Sequence, residues 1–335
     1  MTGRLRYVDD SLPGITRKRQ GRYWQYFDAK GARITDRGEI DRLNGIGLPP
    51  AYQGAWLCPD PNGHIQAIGY DDKGRKQYRY HPDFREKREA AKYESCREFG
   101  KVLPKLRRRV EADLRKRKLS RETVVAAVIR LLDGGRIRVG NEAYAAANKS
   151  YGATTLRDRH AKVTGRTVKM RFKAKSGIER ELRITDATLS RVVKQCQDLP
   201  GQHLFQYLDE EGEAHPVTST DVNDYIREAT GEDFTAKHFR TWRASVIAFE
   251  QVCAAGEEGV GLKSMLEPVA ETLGNTPAIS RKSYVHPRIV AAVKQSPHKR
   301  LSLHCPRASK YLSSAERGLI AFLGGRTGRK SKAAE

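Results

Sequence analysis

The sequence predicts an α+β protein with a small β-rich domain over residues 1–90 and a larger, mainly helical domain over 91–297 that contains a β-hairpin. A basic extension follows over 298–335. Three observations carry this reading. Aromatic and apolar residues lie between Gly- and Asp-rich turns in the first eighty residues, the pattern of short strands. Beyond residue 83 the chain becomes charged with helical apolar spacing, and near residue 170 it reverts briefly to alternation. A chain of 335 residues is long enough to close two cores.

The elements follow in order. Tyr23, Trp24, Tyr26 and Phe27 share one short stretch, followed by the turn-like DAKG at 28–31. AWLCPDPNGHIQAIGYDDKGRKQYRYHP at 55–82 reads as two or three strands broken by Asp-Pro-Asn-Gly and Asp-Asp-Lys-Gly turns. Residues 83–120 read as charged helix, with nine cations against two acids between Lys101 and Lys118. So one-sided an excess suits a phosphate-facing surface at least as well as a solvated helix face. SRETVVAAVIRLLDGG at 120–135 is a helix that Ser120 can cap and Gly134-Gly135 can stop. In RTVKMRFKAKSGIERELRIT at 166–185, Val168, Met170, Phe172 and Ala174 alternate, as do Leu182 and Ile184. That predicts a hairpin with Lys175 at its tip. Helices are expected near 186–198, 219–229 and 235–254, the last with Phe239, Trp242, Val246 and Phe249 on one stripe. GGRTGRKSKAAE closes the chain as a frayed basic tail.

The formal charge is +23. Such a field selects polyanions and is silent about fold. Nucleic acid is the leading partner, because cations release the counterions condensed on phosphates; an anionic membrane surface is the competing one. No apolar run approaches the ~20 residues that span a bilayer, and MTGRLRYVDD has no apolar signal segment, so a cytoplasmic protein is expected. Cys58, Cys96, Cys196, Cys253 and Cys305 are scattered, odd in number and without CxxC spacing. Reduced, mostly buried thiols are expected, and neither a disulfide framework nor a zinc site. There is no HExxH, no EF-hand loop and no phosphate loop, since GGRTGRKS has the wrong spacing. The expectation is no cofactor, no metal and no nucleotide.

Phosphate chemistry would then fall to side chains. Four stretches offer them: RIRVGNEAY with Arg138, FKAKSG with Lys175, AKHFRTWRAS with Arg240, and NTPAISRKSYVHP with Asn275 and Tyr284. Each alone reads as an ordinary surface cation, turn residue or loop tyrosine. Together they are chemically complete. Two arginines can clamp the non-bridging oxygens of a phosphodiester, an amide can add a donor, and a lysine can protonate a leaving oxygen. A tyrosine can be the nucleophile. Its ordinary pKa is about 10, and neighbouring arginines would favour phenolate.

From about residue 40 to 290, the order Arg138, Lys175, Arg240, Asn275, Tyr284 resembles that of the type IB DNA topoisomerases, in their compact poxviral and bacterial branch. IRVGNEAY is similar to the motif of the first catalytic arginine, FKAKSG to the lysine hairpin, KHFRTW to the second arginine, and GNTPAISRKSYVHP to the segment with the nucleophile. The resemblance implies that Tyr284 forms a 3′-phosphotyrosyl link and frees a 5′-hydroxyl. By the same resemblance, Arg138 and Arg240 stabilise the transition state and Lys175 is the general acid. The poxviral pattern has histidine nine residues before the tyrosine, where Asn275 stands here. An amide can donate to a phosphate oxygen but cannot carry a proton.

GYDDKGRKQYRYHP looks like the DNA-contacting segment of the family's N-terminal domain. Gln77, Tyr78 and Tyr80, alternating with Lys76 and Arg79, are the expected duplex contacts, with Lys237 of KHFRTW beside them. The resemblance implies two lobes closing as a clamp on double-stranded DNA, a monomer, no membrane partner, and a place on the nucleoid. A site-specific tyrosine recombinase and a non-catalytic architectural DNA-binding protein are the alternatives. The β-rich first eighty residues favour the topoisomerase.

Overall fold

The computed structural model describes residues 4–256, 258–295 and 305–325. The last ten residues of the basic tail lie outside them. The chain divides into two compact units, residues 1–92 and 93–335.

In the first unit, β1 (Thr16–Gln20) and β2 (Tyr23–Phe27) form an antiparallel hairpin with Thr16 opposite Phe27 and Gln20 opposite Tyr23. Gly21, at φ +58°, supplies the left-handed turn residue. Tyr26 faces inward and is buried, and the Arg17 guanidinium stacks 4.0 Å from the Trp24 ring centroid. Helix α1 (Arg37–Gly45) starts at Asp36, whose carboxylate accepts from the Glu39 amide. It lays Leu43 on the sheet β3 (Gln53–Leu57), β4 (Ile65–Tyr70), β5 (Lys76–Tyr80), which is antiparallel in the order β3-β4-β5. The core is small: Ile15, Tyr26, Leu43, Leu48, Leu57 and Ala67. Central β4 is buried on both faces from Ile65 to Gly69, including Gln66, whose amide donates to the Gly63 carbonyl at 2.8 Å.

Helix α2 (Pro82–Arg115) contains the division between the units. In the second unit α3 (Arg121–Asp133) is the central post, buried on all sides from Thr123 to Ile129. Ser120 occupies its N-cap position, but the hydroxyl turns to the Glu122 carboxylate, 2.8 Å away, and caps no amide. The stop is divided: Gly134 stays right-handed and Gly135 takes φ +70°. Helix α4 (Glu142–Asn148) precedes the sheet β6 (Ala161–Thr164), β7 (Thr167–Lys173), β8 (Glu179–Thr185). The expected two-stranded hairpin thus gains a third strand, because Ala161 and Val163 extend its apolar face. Next come α5 (Ala187–Gln197), the short pair β9 (Gln206–Leu208) and β10 (Ala214–Pro216), α6 (Ser219–Thr230) and α7 (Ala236–Ala254). Helices α8 (Leu262–Leu273), α9 (Pro277–Ser283), α10 (Pro287–Gln295) and α11 (Ser314–Leu323) complete the unit. The α7 stripe of Phe239, Trp242, Val246 and Phe249 is wholly buried. It packs so tightly on α2 that a Cβ at Gly100 would lie 2.2 Å from the Trp242 ring.

Two surface readings change. The cations of 101–118 are largely committed to protein partners. Lys101 pairs with Glu98, Arg107 with Asp133 and Glu316, Arg109 and Lys116 with Asp113, and Arg115 with Glu111. Lys105 donates to the Thr230 carbonyl. Of these, only Arg107 draws on acids from distant segments, Asp133 and Glu316; the other ion pairs run along the helix to Glu98 and to the segment's own Glu111 and Asp113. Within 298–335, α11 docks on α7: Phe322 lies against Phe249, and buried Glu316 accepts from the Trp242 indole at 3.1 Å. All five cysteines are free, and Cys253 and Cys305 face each other with sulfurs 2.9 Å apart.

Candidate active site

Four segments of the second unit bring polar side chains to one place. Arg138 follows α3 in an extended stretch pinned by its neighbours: Ala153 donates to the Arg138 carbonyl at 2.8 Å and Thr154 to that of Val139 at 2.7 Å. Gly140 takes φ +108°, and a Cβ on Gly152 would meet the Gly140 nitrogen at 2.5 Å. The two glycines therefore let the backbones touch behind the arginine. Arg240 sits in the first turns of α7. Asn275 follows Gly274, the left-handed residue at φ +62° that ends α8. Tyr284 stands at the C-terminal end of α9, its amide bonded to the Ser280 carbonyl at 3.0 Å.

These groups interlock. Arg138 Nη2 donates to Asn275 Oδ1 at 3.2 Å. Arg240 is buried; its Nη1 donates to the Gly135 carbonyl at 3.0 Å and its Nη2 to that of Leu273 at 2.9 Å. Its guanidinium carbon lies 5.1 Å from the Tyr284 ring centroid. Burial of Arg240, reinforced by the like charge of Arg138, lowers its pKa to about 10. That corresponds to about 3 kcal/mol against the charged form, a deficit that a bound anion would relieve. Burial alone would raise the Tyr284 pKa. The charges and hydrogen bonds of Arg240 and Arg138 outweigh it and hold the phenol below its ordinary value. Arg240 Nε and Asn275 Nδ2 are buried donors with no partner among the described residues. Such orphans are costly, and two in one cluster are a demand that an anionic acceptor would meet.

Lys175 stands apart from this cluster. It is exposed in the tight turn between β7 and β8, where Ser176 (φ 69°) and Gly177 (φ 75°) are left-handed. It makes no hydrogen bond or ion pair among the described residues. It shares with Arg138 the wall of a cavity of about 360 Å³, also lined by Tyr144, Tyr151, Arg180 and Gly274. This cavity adjoins the Tyr284 cluster and does not enclose it. No group of three or more His, Cys, Asp or Glu suited to hold a metal occurs among the described residues. Among the described residues no helix is long and apolar enough to cross a membrane.

On β5 the pleat places Lys76, Tyr78 and Tyr80 on one face and Gln77 and Arg79 on the other. This differs from grouping Gln77 with the tyrosines, because side chains alternate strictly along a strand. Tyr78 and Tyr80 stack with centroids 5.7 Å apart, and Tyr78 is exposed. Lys76 is paired with Asp10, and Gln77 Nε2 donates to Asp71 at 2.9 Å. Arg79 and Lys237 are exposed.

Two supporting residues escaped the sequence reading. Buried Ser245 accepts from the His286 amide at 3.0 Å and fixes the backbone just past Tyr284. Arg180 of β8 binds three backbone carbonyls beside the site. A serine inside a helix and a cation in an alternating strand carry no sequence signal of such a role.

Residues 81–301 match the family model of the eukaryotic DNA topoisomerase I catalytic core, and residues 23–71 match that of the bacterial DNA topoisomerase IB N-terminal domain. The chain belongs to the type IB DNA topoisomerases. It is 32% identical over 288 residues to DNA topoisomerase 1B of Acanthamoeba polyphaga mimivirus, covering 82% of this chain and 85% of the viral protein. It is 25% identical over 222 residues to DNA topoisomerase 1 of Mycosarcoma maydis, covering 59% of this chain but 22% of the fungal protein. Among solved structures, the XerH site-specific recombinase bound to its difH substrate overlaps 58% of this chain and 52% of its own, with 15% identity and a TM-score of 0.36. That overlap is too partial to bear on mechanism. A type IB topoisomerase is an enzyme that acts on DNA, so the surplus of positive charge has its partner.

Proposed function

We propose that this topoisomerase relaxes supercoiled duplex DNA by reversible transesterification at Tyr284, with no nucleotide or metal in the chemical step. The Tyr284 oxygen attacks a backbone phosphorus, the P–O5′ bond breaks, and a 3′-phosphotyrosyl ester forms. Lys175 gives its proton to the departing O5′. The freed strand turns about the intact one, and the 5′-hydroxyl then attacks the ester, returns its proton to Lys175 and expels the same Tyr284 phenolate that made the first attack. Arg138 and Arg240 hold the non-bridging oxygens, whose charge grows in the transition state. Asn275 Nδ2 adds a neutral donor.

One observation carries this reading. A phenol with a lowered pKa faces two guanidiniums, beside two buried donors that lack an acceptor. A phosphodiester matches these groups in charge and in hydrogen-bonding capacity. Exposed Lys175 fits the general acid if the hairpin tip meets the leaving-group side of the bound strand. All the proposed groups come from one chain, which favours a monomer at work. On β5, Tyr78, Tyr80, Gln77, Lys76 and Arg79 are proposed duplex contacts, as is Lys237; Lys76 would exchange Asp10 for phosphate. So is a row of cations on the outer face of the three-stranded sheet, where Lys162 lies opposite Lys169 and Lys169 opposite Arg183. Like charges directly opposite one another are destabilising, and a phosphate chain would neutralise them. A duplex substrate and a charge of +23 support the nucleoid as the enzyme's place of work.

The test is relaxation of supercoiled plasmid in EDTA without ATP, beside Tyr284→Phe, with a denaturant quench to trap covalent protein–DNA. Wild type should relax the plasmid and become attached to a 3′ end. Tyr284→Phe should bind and do neither. Attachment by Tyr284→Phe, or tight binding by the wild type without relaxation, would overturn the proposal.

A further inference from the structure

We propose that Arg180 is a positioning residue that fastens the Lys175 hairpin to the two backbone segments carrying Arg138 and Asn275. The inference rests on Lys175 being the general acid.

Arg180 is an anomaly of its strand. In β8 the inward positions are Arg180, Leu182 and Ile184, and Arg180 lies opposite buried Phe172 of β7. A cation there needs a reason. Its Nη1 donates to the Glu271 carbonyl at 3.1 Å. Its Nη2 donates to the Thr272 carbonyl at 2.6 Å and to the Arg136 carbonyl at 3.3 Å. Glu271 and Thr272 lie in the last turn of α8, where carbonyls run short of intrahelical partners and the helix end is negative; that of Glu271 also accepts from the Gly274 amide at 3.3 Å. Arg136 is two residues before Arg138.

The neighbouring arginine completes the pattern. Arg240 takes the carbonyls of Gly135 and Leu273. Between them, Arg180 and Arg240 occupy consecutive carbonyls at 271, 272 and 273 and at 135 and 136. Each therefore ties the end of α8 to the stretch after α3. Arg240 does so from α7. Arg180 does so from the hairpin, five residues from Lys175. The intervening turn is compact, so anchoring Arg180 limits where the lysine can go. Gly274 leaves the room, since a Cβ there would lie 3.0 Å from Arg180 Nη1. Burial, and then the like charges of Arg136 and Arg138, lower the Arg180 pKa. The Glu271 carboxylate opposes this as the smallest influence, and the guanidinium's hydrogen bonds go to backbone carbonyls. Three acceptors in two directions suit a rigid fork and not a single ammonium.

The proposed role separates from mere stability by the leaving group. A sulfur in place of O5′ departs as a thiolate and needs no proton, so it bypasses the general acid. Single-turnover cleavage is compared on two duplexes, oxygen or sulfur at a cleavage position mapped with wild type, for wild type, Arg180→Ala, Arg180→Lys and Lys175→Ala. Arg180→Ala should slow cleavage of the oxygen duplex by about 10²-fold, the scale of a misplaced catalytic group, and recover to within about tenfold of wild type with sulfur. Arg180→Lys should fall between. Equal slowing on both duplexes, or no slowing on either, would overturn the positioning role. If Lys175→Ala is not rescued by sulfur, Lys175 is not the acid, and the inference falls with that reading. If Lys175→Ala is rescued and Arg180→Ala is not, the Arg180 role alone fails. Should Arg180→Ala melt below the assay temperature, the same comparison is read from Arg180→Lys.

Discussion

At the residue scale the site works through unmet demand. Arg240 is buried without a carboxylate, its charge answered by two carbonyls and a tyrosine ring. Asn275 spends its oxygen on Arg138 and leaves its Nδ2 unpaired. A protein pays for such groups only where something else completes them. Their effect on Tyr284 gives a pH prediction. In the proposed mechanism the nucleophile is the Tyr284 phenolate, so single-turnover cleavage should rise with pH and level off once the phenol has ionised. The arginines lower that ionisation, so the break should lie below the ordinary phenol value of about 10. In Arg138→Ala the break should move upward and the plateau should fall by about 10²-fold or more. A pH–rate profile of the two proteins checks this. A break that stays in place would mean that Arg138 does not govern the phenol.

At the element scale, helix ends and strand turns deliver the chemistry. Asn275 follows the end of α8, Tyr284 sits at the end of α9, Lys175 lies in the β7–β8 turn, and Arg138 follows α3. Only Arg240 lies inside a helix, and α7 is held by α11. Glu316 of α11 accepts from the Trp242 indole and from Arg107, which also pairs with Asp133. Burial would raise the Glu316 pKa, but Arg107 outweighs it and the carboxyl is held below its ordinary 4.5. A lowered folded value means its contribution is full above the unfolded pKa and drains away as pH falls through the folded one. Glu316→Ala should cost about 3 kcal/mol, because it leaves the buried Trp242 indole without its acceptor and Arg107 with Asp133 as its remaining carboxylate. Thermal melts at neutral pH should show a fall on the order of 10 °C. An unchanged melt would mean that α11 is not part of the cooperative unit.

At the scale of the whole molecule, the charge of +23 is distributed by use. Cations near 101–118 are spent on internal acids, while Lys162, Lys169 and Arg183 oppose one another on an open sheet face. Replacing all three by glutamine should flatten the dependence of log affinity on log salt by about 3, since each phosphate contact contributes about 0.9. Titrations of duplex binding at several salt concentrations would show it, and an unchanged slope would remove this face from the DNA contacts. The sequence by itself determined the α+β class, the hairpin at 166–185, the apolar stripe of α7, and the residue types from which the site is built. It could do so because period-2 and helical spacing, turn glycines and short motifs are local, and local sterics and burial set them. The tertiary structure alone decided which cations were free, that Ser120 would not cap α3, that a third strand would join the hairpin, and that Cys253 and Cys305 would meet. It alone revealed Ser245 and Arg180, whose partners are backbone atoms far along the chain. A carbonyl carries no side-chain signature in a sequence, so a residue whose work is to bind one becomes legible only when the fold brings the two together.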